Sequence, residues 1–197
     1  MVVAKDASNH LSGAETGARQ KNPEPANPWE IEQSPPGLIE SPIDFLFAEH
    51  HRQRQAANAL HLVASGEFDA AGIEKLIVFL ETDFEIHVAD EELSFFPLLQ
   101  ARCLPEDNIE KLIRRLADEH KKDETTVASM TVTLKEVLSG KKLSHEKSRA
   151  VYSFAEHILQ HLALENAVLL PIARARLDEE SQNILSDMLK ERRAGSK

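Results

Sequence analysis

His87 and Glu91 stand four residues apart, and so do His161 and Glu165. On an α-helix this spacing places an imidazole and a carboxylate one turn apart on the same face, with Cβ atoms about 5–6 Å apart. A pair so placed can converge on one small inorganic centre. Pro97 and Pro171 follow the two histidines by ten residues, and the three matched pairs share one offset of 74 (161 − 87, 165 − 91, 171 − 97). A second repeat accompanies the first: Ala48-Glu49-His50 corresponds to Asp118-Glu119-His120 at an offset of 70 (120 − 50). A carboxylate can bridge two metal ions while each imidazole binds one of them terminally. His50, His87, His120 and His161 then supply four nitrogens, and Glu91 and Glu165 two bridges. Each ion receives two imidazoles and two shared carboxylate oxygens, leaving room for a solvent bridge and an open position. Such mixed ligation suits iron better than a closed structural zinc site, which favours thiolates.

The elements that must carry these residues are four long helices. The first is predicted to start at Ser41-Pro42-Ile43-Asp44, with serine as N-cap and proline at the first helical position, and to end at Gly66. Its apolar face runs Ile43, Leu46, Phe47, Ala57, Leu60, Ala64, and His50 falls in the middle of that stripe. The second follows Asp69 with Ile73, Leu76, Ile77, Leu80 and Phe84, a line that His87 and Glu91 continue until Pro97 bends or frays it. The third follows Pro105-Glu106-Asp107, carries Ile109, Leu112, Ile113, Leu116, Val127, Leu134 and Leu138, and stops at Gly140. The fourth follows Ser144, with Val151, Phe154, Ile158, Ala167 or Val168, and Ile172 inside and Pro171 marking its far end. A shorter amphipathic helix over about 179–192 carries Ile184, Leu185, Met188 and Leu189. No segment has a convincing strand period, so an all-α, up-down-up-down four-helix bundle is the expected fold. It occupies 39–177, between a disordered or loosely docked tail over 1–38 and a C-terminal helix and tail over 178–197. Trp29 lies in the N-terminal tail and is a candidate to dock on the bundle.

Composition narrows the function classes. A net charge of −10 on 197 residues argues against nucleic acid, which needs a concentrated basic surface. Nothing approaches the roughly 18 consecutive apolar residues of a membrane span, and the N-terminus lacks the apolar stretch of a secretory signal. A single cysteine, Cys103, cannot form an internal disulfide, which suits a cytoplasmic protein. The chemistry lies in the nine histidines. Buried without partners, the six inward polar groups would each cost on the order of 1–3 kcal/mol or more, and a metal pair removes that cost.

The order His, HxxxE, His, HxxxE, with a proline after each glutamate, resembles the hemerythrin or HHE cation-binding domain over about residues 40–176. It looks most like the bacterial branch whose bridging glutamates sit on the second and fourth helices. The resemblance implies a non-heme centre of two iron ions handling a small oxidant: dioxygen, peroxide or nitric oxide. Relatives of this pattern are associated with iron sensing, peroxide or nitrosative stress, and iron repair. Oxygen-carrying hemerythrin has HxxxH on its third helix and an aspartate five residues after one histidine. This chain instead has His120-Lys121-Lys122-Asp123-Glu124 and glutamate at the fourth position. Those departures bear on reversible oxygen carriage rather than on iron binding.

Other residues compete for the site. Glu124, one turn after His120, either fills an open coordination position or pairs with Arg54. His157, one turn before His161, is either a fifth nitrogen or a partner behind the ligands, or neither. His51 points about 100° away from His50, towards Phe47 and Leu62. His61 lies about three turns along the helix, as a core or interface histidine. Asp90 and Glu92 flank a ligand, as solvated residues or as its supports, Cys103 is structural, and His10 and His145 belong to the surface. Two function classes remain: a di-iron redox protein with peroxide-decomposing or related activity, and an iron- or oxygen-sensing module without turnover, with or without a protein partner. Ferritin-like oxidases use glutamate three residues before histidine, and no histidine here has one. Zinc hydrolysis by HExxH has no counterpart either.

Overall fold

A computed structural model describes residues 27–35 and 37–195; His10 lies outside the described residues. Four helical rods carry the fold. The first is α1 (Pro42–Ser65). The second comprises α2 (Ala70–Val78), a π turn (Phe79–Asp83), α3 (Phe84–Asp90), a second π turn (Glu91–Phe95) and α4 (Phe96–Arg102). The third is α5 (Glu110–Leu138), and the fourth is α6 (His145–Leu164), a π turn (Glu165–Leu169) and α7 (Leu170–Arg176). A last helix, α8 (Glu179–Gly195), lies along the outside, and no strand occurs among the described residues.

Contacts between rod ends make the bundle antiparallel. Ser148, early in α6, donates to the Ala64 carbonyl late in α1. Arg174 in α7 pairs with Asp44 at the start of α1, and Lys135 late in α5 pairs with Glu81 early in the second rod. Local chemistry sets the boundaries. Asp69 and Ser144 cap α2 and α6 with their side chains, while Gly66 and Gly140 end α1 and α5 at φ of 90° and 86°, where glycine carries no steric penalty. Ser41 occupies the N-cap position but its side chain makes no capping bond; Pro42 presets the first turn instead.

Two apolar cores stack along the bundle axis. One gathers Leu60, Leu76, Leu80, Leu134 and Phe154; the other gathers Leu46, Phe95, Leu99, Leu116 and Leu169. On every rod the expected ligands fall between them: His50 between Leu46 and Ala56, His87 and Glu91 between Phe84 and Phe95, His120 between Leu116 and Val127, His161 and Glu165 between Ile158 and Leu169. A polar layer therefore divides the interior.

Pro97 does not fray the second rod, and the fourth continues past Pro171, the expected marker of its end; they run to Arg102 and Arg176. In each a π turn precedes the proline, closed by the bonds from Phe96 N–H to the Glu91 carbonyl and from Leu170 N–H to the Glu165 carbonyl. The proline then sits in the first turn of a new helical segment, where its missing N–H is tolerated. The wide turn also shifts the register. Ala167 is exposed and Val168 only half-buried, while Leu169, Leu170 and Ala173 face the core. Two further inward assignments are corrected: Phe47 and Ile184 are exposed, at 49% and 42%. Phe47 lies one position off the buried line through Ile43, Leu46 and His50, and Arg54 covers its ring.

The tail segment that is described packs closely. Trp29 and Ile31 are buried in the first core, and Trp29 lies against Gly72, where an added Cβ would come within 2.7 Å of the Trp29 Cβ.

Candidate metal centre

Six side chains from four rods meet in the polar layer. One atom each from His50, His87, Glu91 and Glu165 lies within 4.8 Å of the others, and the same holds for Glu91, His120, His161 and Glu165. All six residues are buried. Both glutamates belong to both groups. Glu91 Oε1 lies 3.3 Å from the Nε2 atoms of His50 and of His87, while its Oε2 lies 3.5 Å from His120 Nε2. Glu165 turns Oε2 to His50 at 3.5 Å and Oε1 to His161 at 3.2 Å. Each carboxylate thus presents one oxygen to each half of the layer. Both glutamates begin π turns, Glu91–Phe95 and Glu165–Leu169, which repeat at the same offset of 74 (165 − 91) as the ligands. Such wide turns inside helices frequently mark functional sites.

The groups satisfy one another only in part, with His50 Nε2 within hydrogen-bond distance of Glu91 Oε1 at 3.3 Å. Glu91 Oε2, both oxygens of Glu165 and both ring nitrogens of His87 are buried without a hydrogen bond among the described residues. The 3.2–3.5 Å separations around them therefore come without hydrogen-bond geometry. Two donors bound at about 2.1 Å and at right angles on one metal ion would lie about 3.0 Å apart, so the spacing is that of neighbouring ligands. His120 Nε2 and His161 Nε2 face each other at 3.0 Å. Each of these rings gives its Nδ1–H to a carboxylate, His120 to Glu92 at 3.1 Å and His161 to Glu119 at 2.9 Å. In the neutral rings two lone pairs then point at one spot, where a cation would be held by both. His50 gives Nδ1–H to Asn166 Oδ1 at 2.9 Å, which leaves its Nε2 facing inwards as well.

Burial alone would depress the His87 imidazole, but the charge of Glu91 and further carboxylates raises it to about 9. At His161 burial is likewise outweighed, chiefly by Glu165, and the pKa rises to about 10. Burial opposes ionisation of Glu91, yet His87 and His50 hold its carboxyl well below the usual range. The donor set is a compact array of anionic and neutral ligands suited to divalent or trivalent cations.

The family model described as Hemerythrin HHE cation binding domain matches residues 41–173. The chain belongs to that hemerythrin family. Comparison with curated proteins and with solved structures gave no match. The match spans all four rods and leaves α8 and the Trp29 segment outside. Family membership and the buried His/Glu layer together identify a hemerythrin-like metal-binding module.

The remaining sequence candidates fall around this hemerythrin layer rather than in it. Glu124 is exposed and belongs to neither four-residue group; it lines a cavity of about 200 Å³ that reaches His120 and Glu92. His157 is half-buried, 3.1 Å from Asp123, and forms a separate group with Glu119 and His161; the Asp123 hydrogen bond, outweighing burial, raises its pKa. His51 faces outwards near Glu32 and Gln55. His61 packs on Tyr152 and pairs with Glu156, and His145 is exposed. Asp90 is not solvated but wholly buried, paired with Arg192 and Arg193 of α8. No sequence period signals that role, because both arginines lie a hundred residues away. Asn166, Glu119 and Asp123 were also missed as supports; their only signal was proximity to HxxxE or to His120.

Proposed function

We propose that His50, His87, Glu91, His120, His161 and Glu165 hold two iron ions and that this hemerythrin-like module handles a small oxidant: dioxygen, peroxide or nitric oxide. The observation that carries the reading is the pair of four-residue groups sharing both glutamates, with buried lone pairs left without partners. When bound, the iron pair would supply redox change toward a diatomic or peroxide ligand. The protein residues supply the rest. Glu91 and Glu165 divide their oxygens between the halves and neutralise charge. Glu92, Glu119 and Asn166 fix the imidazole rings with Nε2 inwards. Apolar cores lie above and below the layer, and the cavity of about 200 Å³ beside His120, walled by Phe84, Val88 and Val127 with Glu85, Lys121 and Glu124, is of a size for a small molecule. No helix among the described residues is long and apolar enough to cross a membrane, and a cytoplasmic setting is part of the proposal.

The test is elemental analysis of protein expressed in iron-replete medium, with ultraviolet–visible spectra of the anaerobic iron-loaded form before and after air and after peroxide. Two irons per chain and peroxide consumption support the reading. One metal per chain, or zinc alone, would sink it. A module that senses without turnover is the second reading, favoured by the clasp of α8 on Asp90, the residue next to Glu91. It predicts two irons, no peroxide consumption, and a change in α8 protection from hydrogen exchange on oxidation.

A further inference from the structure

The repeat that pairs the ligands also pairs the residues behind them, and there the two halves differ. His120 and Glu92 correspond to His50 and Asn166 (120 − 50 = 70, 166 − 92 = 74). Both pairs make the same bond from Nδ1–H, but one acceptor is a carboxylate and the other a neutral amide. His161 and Glu119 correspond to His87 and Glu49 by the same offsets. His161 gives its Nδ1–H to Glu119 at 2.9 Å, whereas His87 Nδ1 has no hydrogen-bond partner among the described residues.

The cause is visible. Glu49 is buried and taken up elsewhere: Arg52 Nη1 reaches its two oxygens at 2.9 and 3.3 Å, and the Ser34 hydroxyl donates to Oε1. Arg52 is itself held by Asp83 at 2.7 Å and by the Glu32 carbonyl. Its counterpart is Lys122, which is exposed, and the counterpart of Asp83 is His157, which pairs with Asp123 instead. Glu119 gives one oxygen to Arg115 and keeps the other for His161. One half therefore has two carboxylates behind its imidazoles, and the other has an amide and an unpartnered ring.

A carboxylate accepting the far N–H of a ligating histidine raises the basicity of the near nitrogen, and losing such a support costs about 10–100-fold in metal affinity. Building on the two-metal reading above, we propose that the positions are unequal: His120 and His161 take the first metal ion, and His50 and His87 take the second, exchangeable one. Glu92 and Glu119 are positioning residues that set this order, and Arg52 withholds Glu49 from the weaker half.

The experiment is a titration of the metal-free full chain with Zn(II), read by calorimetry and by nitrogen-15 resonances of labelled histidine. The first equivalent should move the Nε2 resonances of His120 and His161 and leave those of His50 and His87 in place until the second equivalent. Glu92→Gln with Glu119→Gln should weaken the first step by about 10–100-fold. Asn166→Asp, nearly isosteric, should tighten the second step by about tenfold or more, so the idea stays testable if the double variant does not fold. Filling of both halves together, or a second step unmoved by Asn166→Asp, overturns the inference and leaves the two-metal reading standing. Binding of one ion in total overturns both.

Discussion

Arg192 Nε donates to Asp90 Oδ1 at 2.9 Å, joining the last helix to the residue immediately before Glu91. Arg193 reaches the other oxygen at 2.7 Å, and Arg192 also donates to Ser94 in the π turn that Glu91 begins. Asp90 has no exposed surface, so its charge depends on α8, a helix outside the family match.

Removing both guanidinium groups should therefore leave a buried uncompensated carboxylate. Arg192→Met with Arg193→Met is expected to cost about 3–5 kcal/mol in urea unfolding, and adding Asp90→Asn should recover part of it. Equal stability of wild type and double variant would show that α8 is only an appendage.

Glu91→Gln and Glu165→Gln should each lower metal content to one ion or none, because each carboxylate faces both halves of the layer. Glu124→Ala, His51→Ala and His145→Ala should leave the metal content of purified protein unchanged, since all three side chains lie outside both groups. Loss of metal in Glu124→Ala, measured by elemental analysis, would restore it as a ligand.

The short turn before α5 is tied to the end of α7 by Asp107 and Arg176, with both contacts at 2.8 Å. Hydrogen bonds from Arg176, then from the Leu104 backbone, hold the Asp107 carboxyl at about 2. A carboxyl depressed in the folded state stabilises above its unfolded pKa, about 3.9, and that contribution is lost as pH falls through the folded value. Asp107→Asn should thus be less stable than wild type near neutrality, with the gap closing between about pH 4 and pH 2. A gap that widens on acidification would contradict the pairing.

Gly72→Ala sets a helix gain against a clash. Alanine is favoured over glycine in a helix by about 1 kcal/mol, but its Cβ would meet Trp29 at 2.7 Å, and overpacking costs about 1–3 kcal/mol. The clash should win, and the emission of Trp29, the only tryptophan, should shift to the red as the segment lifts. An unshifted spectrum with raised stability would mean that the ring simply moves aside.

How much of this was legible in advance follows from what each pattern encodes. A helix repeats every 3.6 residues, so residues four apart share a face whatever the tertiary structure. The apolar stripes, the HxxxE pairs and their repeat therefore announced helices, a bundle and six converging side chains. The same rule failed at Ala167, Val168 and the prolines, because one wide turn adds a residue and rotates everything after it; nothing in local composition declares that insertion. Phe47 and Ile184 went wrong at the edges of stripes, where one step separates core from solvent. Contacts between distant segments were illegible for another reason. That Glu49 goes to Arg52 and Glu119 to His161, or that Asp90 is neutralised from α8, depends on which side chains the packed rods bring together, and no spacing along the chain records it.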